Sequence, residues 1–121
     1  MTNNKVFIVN PSMLEAFIAT GQLEEQGYQV LNANPNVQPD LKQSIVILAR
    51  KAGYCLLMPG WNLNAESQTL AFISVTIGVP AWECKMVEGQ FEFRLADLQF
   101  ELQCKVAVEN EQEELTRVLA N

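Results

Sequence analysis

Two kinds of residue in this chain have the chemistry to hold or alter a small molecule. The first is a set of uncharged amides and loop formers: Asn10 and Pro11, Asn32 and Asn34, then Pro59, Gly60, Trp61, Asn62 and Asn64. Amides donate and accept hydrogen bonds without carrying charge, and an indole offers a flat apolar surface for a base or sugar. Together they suit a neutral polar ligand. The second is Glu66, a carboxylate able to act as a nucleophile on carbon or as a base. A Glu in the first turn of a helix more often complements the helix dipole or completes a cap, so its position alone does not make it catalytic.

The rest of the composition narrows the chemistry. The chain of 121 residues has no His, which removes the commonest general base and every Ser-His or Cys-His pair. Cys55, Cys84 and Cys104 show no C-x-x-C spacing and read as small buried residues rather than zinc ligands. Eight Lys and Arg against fourteen Asp and Glu give a net charge of -6, which argues against a nucleic-acid polymer, whose phosphates need clustered cations. A small nucleotide is not excluded on this ground, since backbone N–H groups at a helix start can hold one phosphate. Neither G-x-x-x-x-G-K nor G-x-G-x-x-G occurs, so no ATP, NAD or other cofactor is expected. The acidic runs Glu24-Glu25 and Glu111, Glu113, Glu114 read as solvated faces, not metal sites. The apolar run Val6 to Val9 is too short for a signal peptide, and nothing approaches the roughly 18 apolar residues of a membrane helix. A cytoplasmic protein without membrane contact is expected.

Positioning the amide loops requires strands that end beside one another. The continuous apolar run Val6 to Val9 predicts a central strand covered on both faces. Ser12 with Glu15 forms a capping-box signature for a helix whose apolar positions are Leu14, Phe17, Ile18 and Leu23, closed by Gly27. Tyr28 to Asn32 predicts a second strand, and Asp40 the cap of a helix from Leu41 to Ala52 with Leu41, Ile45, Leu48 and Ala49 on one face. Gly53 is expected to end that helix in the left-handed region. A strand from Tyr54 leads into the Pro-Gly-Trp loop. Asn64 caps a helix from about Ala65 to Ile77, and Val79 to Glu83 supplies a fourth strand. Alternation of this kind over the first 83 residues predicts an α/β fold, a three-layer parallel sheet of βαβαβαβ type, flavodoxin- or Rossmann-like. From residue 84 the period becomes two, with candidate turns at Glu88-Gly89 and Ala96-Asp97. A C-terminal antiparallel extension is expected there, including a strand with Leu98, Phe100, Leu102, Cys104, Val106 and Val108 on one side, then a short helix over Glu111 to Ala120. The reading is one domain over 1–121, with a core of 1–83 and an extension of 84–121.

The order of these parts, with "GYQVLN", an Asn/Pro loop, "LLMPGW" and then "GVP" beginning 17 residues after Trp61, resembles the nucleoside 2-deoxyribosyltransferase-like proteins. The likeness spans roughly Val6 to Pro80 and is nearest to the small branch carried in phage and bacterial genomes. It implies cleavage or exchange of the N-glycosidic bond of a deoxynucleoside by a Glu nucleophile, with an Asp handling the base. The family's Gly-Ala-x-x-Glu run aligns with Glu66, Ser67 and, at the nucleophile, Leu70. Its Cys-Asp pair falls on Ala52-Gly53, and the small residue and Gly of its first loop on Asn10-Pro11. Two missing carboxylates that act as a unit would remove the chemistry. The implied product is a catalytically degenerate member that binds a nucleoside or nucleotide without turning it over. Two alternatives stand beside it: an atypical N-glycosidase or transferase using Glu66 as a displaced nucleophile, and an interaction or scaffold protein with a vestigial pocket. For the last, the apolar side of 98–108 is the expected protein-binding surface, and homo-oligomerisation is expected through it.

Overall fold

The computed structural model of the chain describes residues 3–96. The Ala96-Asp97 turn, the strand over 98–108 and the helix over 111–120 lie outside the described residues.

The chain begins with strand β1, Lys5–Val9, then helix α1, Met13–Glu25, and the short strand β2, Gln29–Val30. Helix α2, Leu41–Arg50, precedes strand β3, Tyr54–Leu57; a single 3-10 turn, Trp61–Leu63, leads into helix α3, Ala65–Thr76. Strands β4, Ala81–Val87, and β5, Gln90–Leu95, complete a five-stranded sheet of order β2-β1-β3-β4-β5. The pairs β1–β2, β1–β3 and β3–β4 are parallel, and β4–β5 is antiparallel. The fold is therefore mixed α/β with a mostly parallel sheet. The centre of the sheet is β3, not β1 as the apolar run suggested; β1 is interior, flanked by β2 and β3.

Alternation along the interior strands divides the core. Val6 and Ile8 of β1 and Leu56 of β3 join Ala19 and Leu23 of α1 in one cluster. Phe7, Val9, Cys55 and Leu57 join Leu48 of α2, and Leu70 and Ala71 of α3, in another. Burial of both faces explains why these strands read as unbroken apolar runs.

The helix starts are set by local side chains. Ser12 and Glu15 form the expected capping box on α1, Asp40 and Gln43 form one on α2, and the Asn64 side chain accepts the Ser67 N–H at the start of α3. Gly27 (φ 90°) follows α1 and tolerates a conformation that costs other residues about 1 kcal/mol or more.

Three expectations are corrected. On α1 the buried residues are Ala16, Ala19 and Leu23, while Leu14 and Phe17 are exposed; small residues let this helix approach the sheet, and the larger apolar ones are turned outward. On α2, Ser44 and Leu48 are buried, whereas Leu41 and Ala49 are exposed. Gly53 is not left-handed. It lies at the amino end of β3, where a Cβ would collide with the Asn3 backbone carbonyl, so close packing explains the glycine.

The boundary expected at residue 84 also falls inside an element. Strand β4 runs on to Val87 because β5 pairs with it along that length, from Trp82 opposite Leu95 to Val87 opposite Gln90. Glu88 and Gly89, both at positive φ (52° and 80°), make the expected tight turn of this hairpin.

Candidate functional site

In a parallel sheet, ligands gather at the carboxyl ends of the strands where chain order reverses. Here that point lies between β1 and β3, since α1 leads to β2 on one side and the later strands follow on the other. The loop after β1 meets the first turn of α3 there, and the two are tied together. Asn10, held at φ 44°, donates from Nδ2 to the Ser67 Oγ at 3.0 Å, and the backbone N–H of buried Ser67 donates to Asn64 Oδ1 at 2.9 Å. Asn and Gly are the residues that enter the left-handed region at least cost, which is a local reason for Asn at position 10. The side chain of Gln68 also donates to the Asn62 carbonyl.

The next loop is built the same way. Buried Asn32 accepts the Ile8 N–H at 2.9 Å, donates to the Ile8 carbonyl at 2.6 Å and reaches Gln38 Oε1 at 3.0 Å. Its amide thus continues, as a side chain, the pairing with β1 that the two-residue β2 leaves off. Asn34 Oδ1 accepts the Asn36 N–H at 3.0 Å. The helix starts are closed as well: the Ser12 N–H at α1 donates to Glu15 Oε1 at 2.8 Å, and the Asp40 N–H at α2 to Gln43 Oε1 at 3.0 Å. A phosphate at either place would have to displace the chain's own side chain.

The open space lies on the other side of the Pro-Gly-Trp loop. A cleft of about 560 Å³ is lined by Pro59, Gly60, Trp61 and Asn62 on one side and by the β4–β5 hairpin, with Glu83, Lys85, Glu92 and Arg94, on the other. Residues two apart on a strand share a face, so these four charged side chains stand together in register: Glu83 opposite Arg94 and Lys85 opposite Glu92. Arg94 contacts Glu83 Oε2 through both Nε and a terminal nitrogen, each at 3.1 Å.

Comparison with protein-family models, curated proteins and solved structures returned no match for this chain.

The expected site residues therefore separate. Pro59, Gly60, Trp61 and Asn62 line the cleft; Asn10, Asn32, Asn34 and Asn64 hold the backbone in place. Pro11 leads into the α1 cap. Trp61 does not present a broad stacking surface: only 9% of it is exposed, and it packs in the core cluster with Phe7 and Leu57. Its contribution to the cleft is small. Glu66 is exposed in the first turn of α3 and is not among the residues lining the cleft. Leu70, at the position implied for a nucleophile, is fully buried in that same core cluster. Gly53, implied for the Asp, is at the opposite end of β3 from the loop.

The charged wall is the part that reading along the chain missed. A signal was present, because a two-residue turn at Glu88-Gly89 fixes the hairpin register and so pairs 83 with 94 and 85 with 92. Cys84, also in this region, is no nucleophile: its Sγ donates to the Leu57 carbonyl at 3.2 Å, and burial, aided by Glu15 and Glu83, pushes its thiol up to about 12. Thiolate is the reactive form, so this group stays inert near neutrality. Among the described residues no group of three or more His, Cys, Asp or Glu is placed to hold a metal ion, and no helix is long and apolar enough to cross a membrane.

Two further spaces are less suited to a nucleoside-sized ligand. The cavity by Tyr28, Tyr54 and Trp82, about 80 Å³, is too small and sits at the amino ends of the strands. A groove of about 520 Å³ between Val37, Lys42 and Val46 is an open surface beside the loop that Asn32 holds shut.

Proposed function

We propose that this chain is a non-catalytic binding domain for an uncharged, nucleoside-sized molecule, with a doubly wound, three-layer arrangement like that of the nucleoside 2-deoxyribosyltransferases. The cleft beside Pro59–Asn62 carries the reading. Its volume, about 560 Å³, falls within the range of small-molecule sites, and it combines an apolar edge with convergent polar groups. Absence of turnover follows from the core position of Leu70 and from the distance of Gly53 from the loop. Preference for a nucleoside over its phosphate follows from the self-capped starts of α1 and α2 and from the balanced charge of the hairpin wall.

Thermal-shift measurement with nucleosides, deoxynucleosides and their 5′-phosphates tests this, with chromatography of each mixture for free base. A ligand at about 100 times its Kd adds roughly 2.7 kcal/mol to the folded state, a clear rise in midpoint. The expected result is stabilisation by a nucleoside that is recovered intact. Release of free base would instead return Glu66 to a catalytic role, and no shift with any compound would remove the binding reading.

A second reading, an interaction domain, is favoured by one observation: Met13, Leu14 and Phe17 at the start of α1 are 62%, 66% and 76% exposed. Grouped apolar exposure of this kind is typical of contact surfaces.

A further inference from the structure

We propose that Lys85 and Glu92 select a guanine-type base, one that sets two adjacent N–H donors beside a carbonyl oxygen. The inference rests on the nucleoside-binding reading of the cleft.

Four charged groups line the hairpin wall, but they are not equivalent. Arg94 is engaged by Glu83 through two contacts of 3.1 Å, and this is the one ion pair among the described residues. Lys85 and Glu92 stand directly opposite one another on the same strand pair, both exposed and both lining the cleft. Opposed residues in an antiparallel pair have Cβ atoms about 4.5–5.5 Å apart. The pair therefore offers an ammonium and a carboxylate side by side at the cleft mouth, each with hydrogen-bonding capacity unused by the other.

The chemistry of the two groups specifies the edge they can bind. A carboxylate only accepts, through two oxygens, and its strongest arrangement takes two parallel N–H donors; an ammonium only donates. The Watson–Crick edge of guanine supplies this set, with N1–H and N2–H for Glu92 and O6 for Lys85. Hypoxanthine keeps the carbonyl and one N–H but loses the second. Adenine presents one N–H and a bare ring nitrogen, which a carboxylate repels. Reading a base by that edge while an aromatic or apolar side chain contacts its face is a recurrent solution, and Pro59 and Trp61 line the same cleft. An added phosphate gains little, because Glu83 and Glu92 offset Lys85 and Arg94.

Titration calorimetry of the intact protein with guanosine, inosine, adenosine and guanosine 5′-monophosphate tests the assignment. Guanosine is expected to bind best, inosine about tenfold more weakly for the loss of one charge-assisted hydrogen bond, and adenosine more weakly still. Guanosine 5′-monophosphate is expected to match guanosine. Glu92→Gln should lower guanosine affinity about tenfold and raise adenosine affinity, because an amide can donate to the ring nitrogen that the carboxylate repels, while the melting midpoint stays unchanged, since the residue is exposed. Lys85→Met should weaken guanosine and inosine together. Equal binding of the three nucleosides, or guanosine preference that survives Glu92→Gln, overturns the selection by this pair but leaves the cleft as a nucleoside site. If no nucleoside binds, the reading of the cleft and this inference both fall.

Discussion

The two sides of the Pro-Gly-Trp loop are made from similar polar material and arranged to opposite ends. Toward β1, Asn10, Ser67, Asn64, Asn32 and Gln38 bond to one another or to backbone, closing the crevice where strand order reverses. Toward β4, Lys85, Glu92 and Asn62 line an open cleft. Polar residues in loops are thus not a site by themselves. What matters is whether their donors and acceptors are already used within the chain, because a satisfied buried amide has nothing left to offer a ligand.

The largest test of this contrast is Leu70→Glu. A carboxylate at a fully buried position should destabilise the fold by at least about 4 kcal/mol, enough to be seen as loss of the cooperative melting transition. A variant that melted normally would mean that α3 turns this position toward the ligand side, and the closed side would have to be reconsidered as a degraded catalytic centre. Next in size is Asn32→Leu. It strands the Ile8 N–H and carbonyl in a buried place and should cost about 3 kcal/mol in chemical denaturation. A loss below about 1 kcal/mol would show that water or the loop backbone can replace the amide, and that the closed side is more open than its bonds suggest. The smallest effect belongs to the open side: Arg94→Ala breaks an exposed ion pair and should change stability by less than about 0.5 kcal/mol. A large loss there would make the wall part of the scaffold and weaken its claim as a ligand surface.

Much of the framework was legible because its signals are local. Ser12 with Glu15, Asp40 and Asn64 mark helix starts within a few residues, and Glu88-Gly89 marks its hairpin by demanding two positive φ values. The errors arose where a distant partner decides. Leu14 and Phe17 fit a helical period with Leu23, yet Ala16 and Ala19 take the buried face because the sheet admits the helix closely there. Gly53 followed a helix and so looked like its terminator; Asn3, fifty positions earlier in the chain, is what excludes a side chain. For the site, the loop residues Pro59 to Asn62 could be read directly, but whether Asn10 faced a ligand or Ser67 depends on a contact between the loop after β1 and helix α3, 57 positions apart. The charged wall lay between these cases. Its cross-strand pairs follow from one turn, but that they border Pro59 to Asn62 depends on β4 pairing with β3, a contact between distant parts of the chain.

The tight turn at Glu88-Gly89 also bears on how the chain finds its fold. Residues joined by β4 and β5 are separated by only 3 to 13 positions, from Val87–Gln90 to Trp82–Leu95, whereas pairing β1 with β3 brings together Val6 and Tyr54, 48 positions apart. Loop closure of the first kind costs little entropy and hairpins form in about 1–10 μs, while parallel pairing across long crossovers is intrinsically slow. The wall of the cleft can therefore assemble before the sheet that it borders, leaving β3 and the Pro-Gly-Trp loop to complete the opening when they dock against a ribbon already in register.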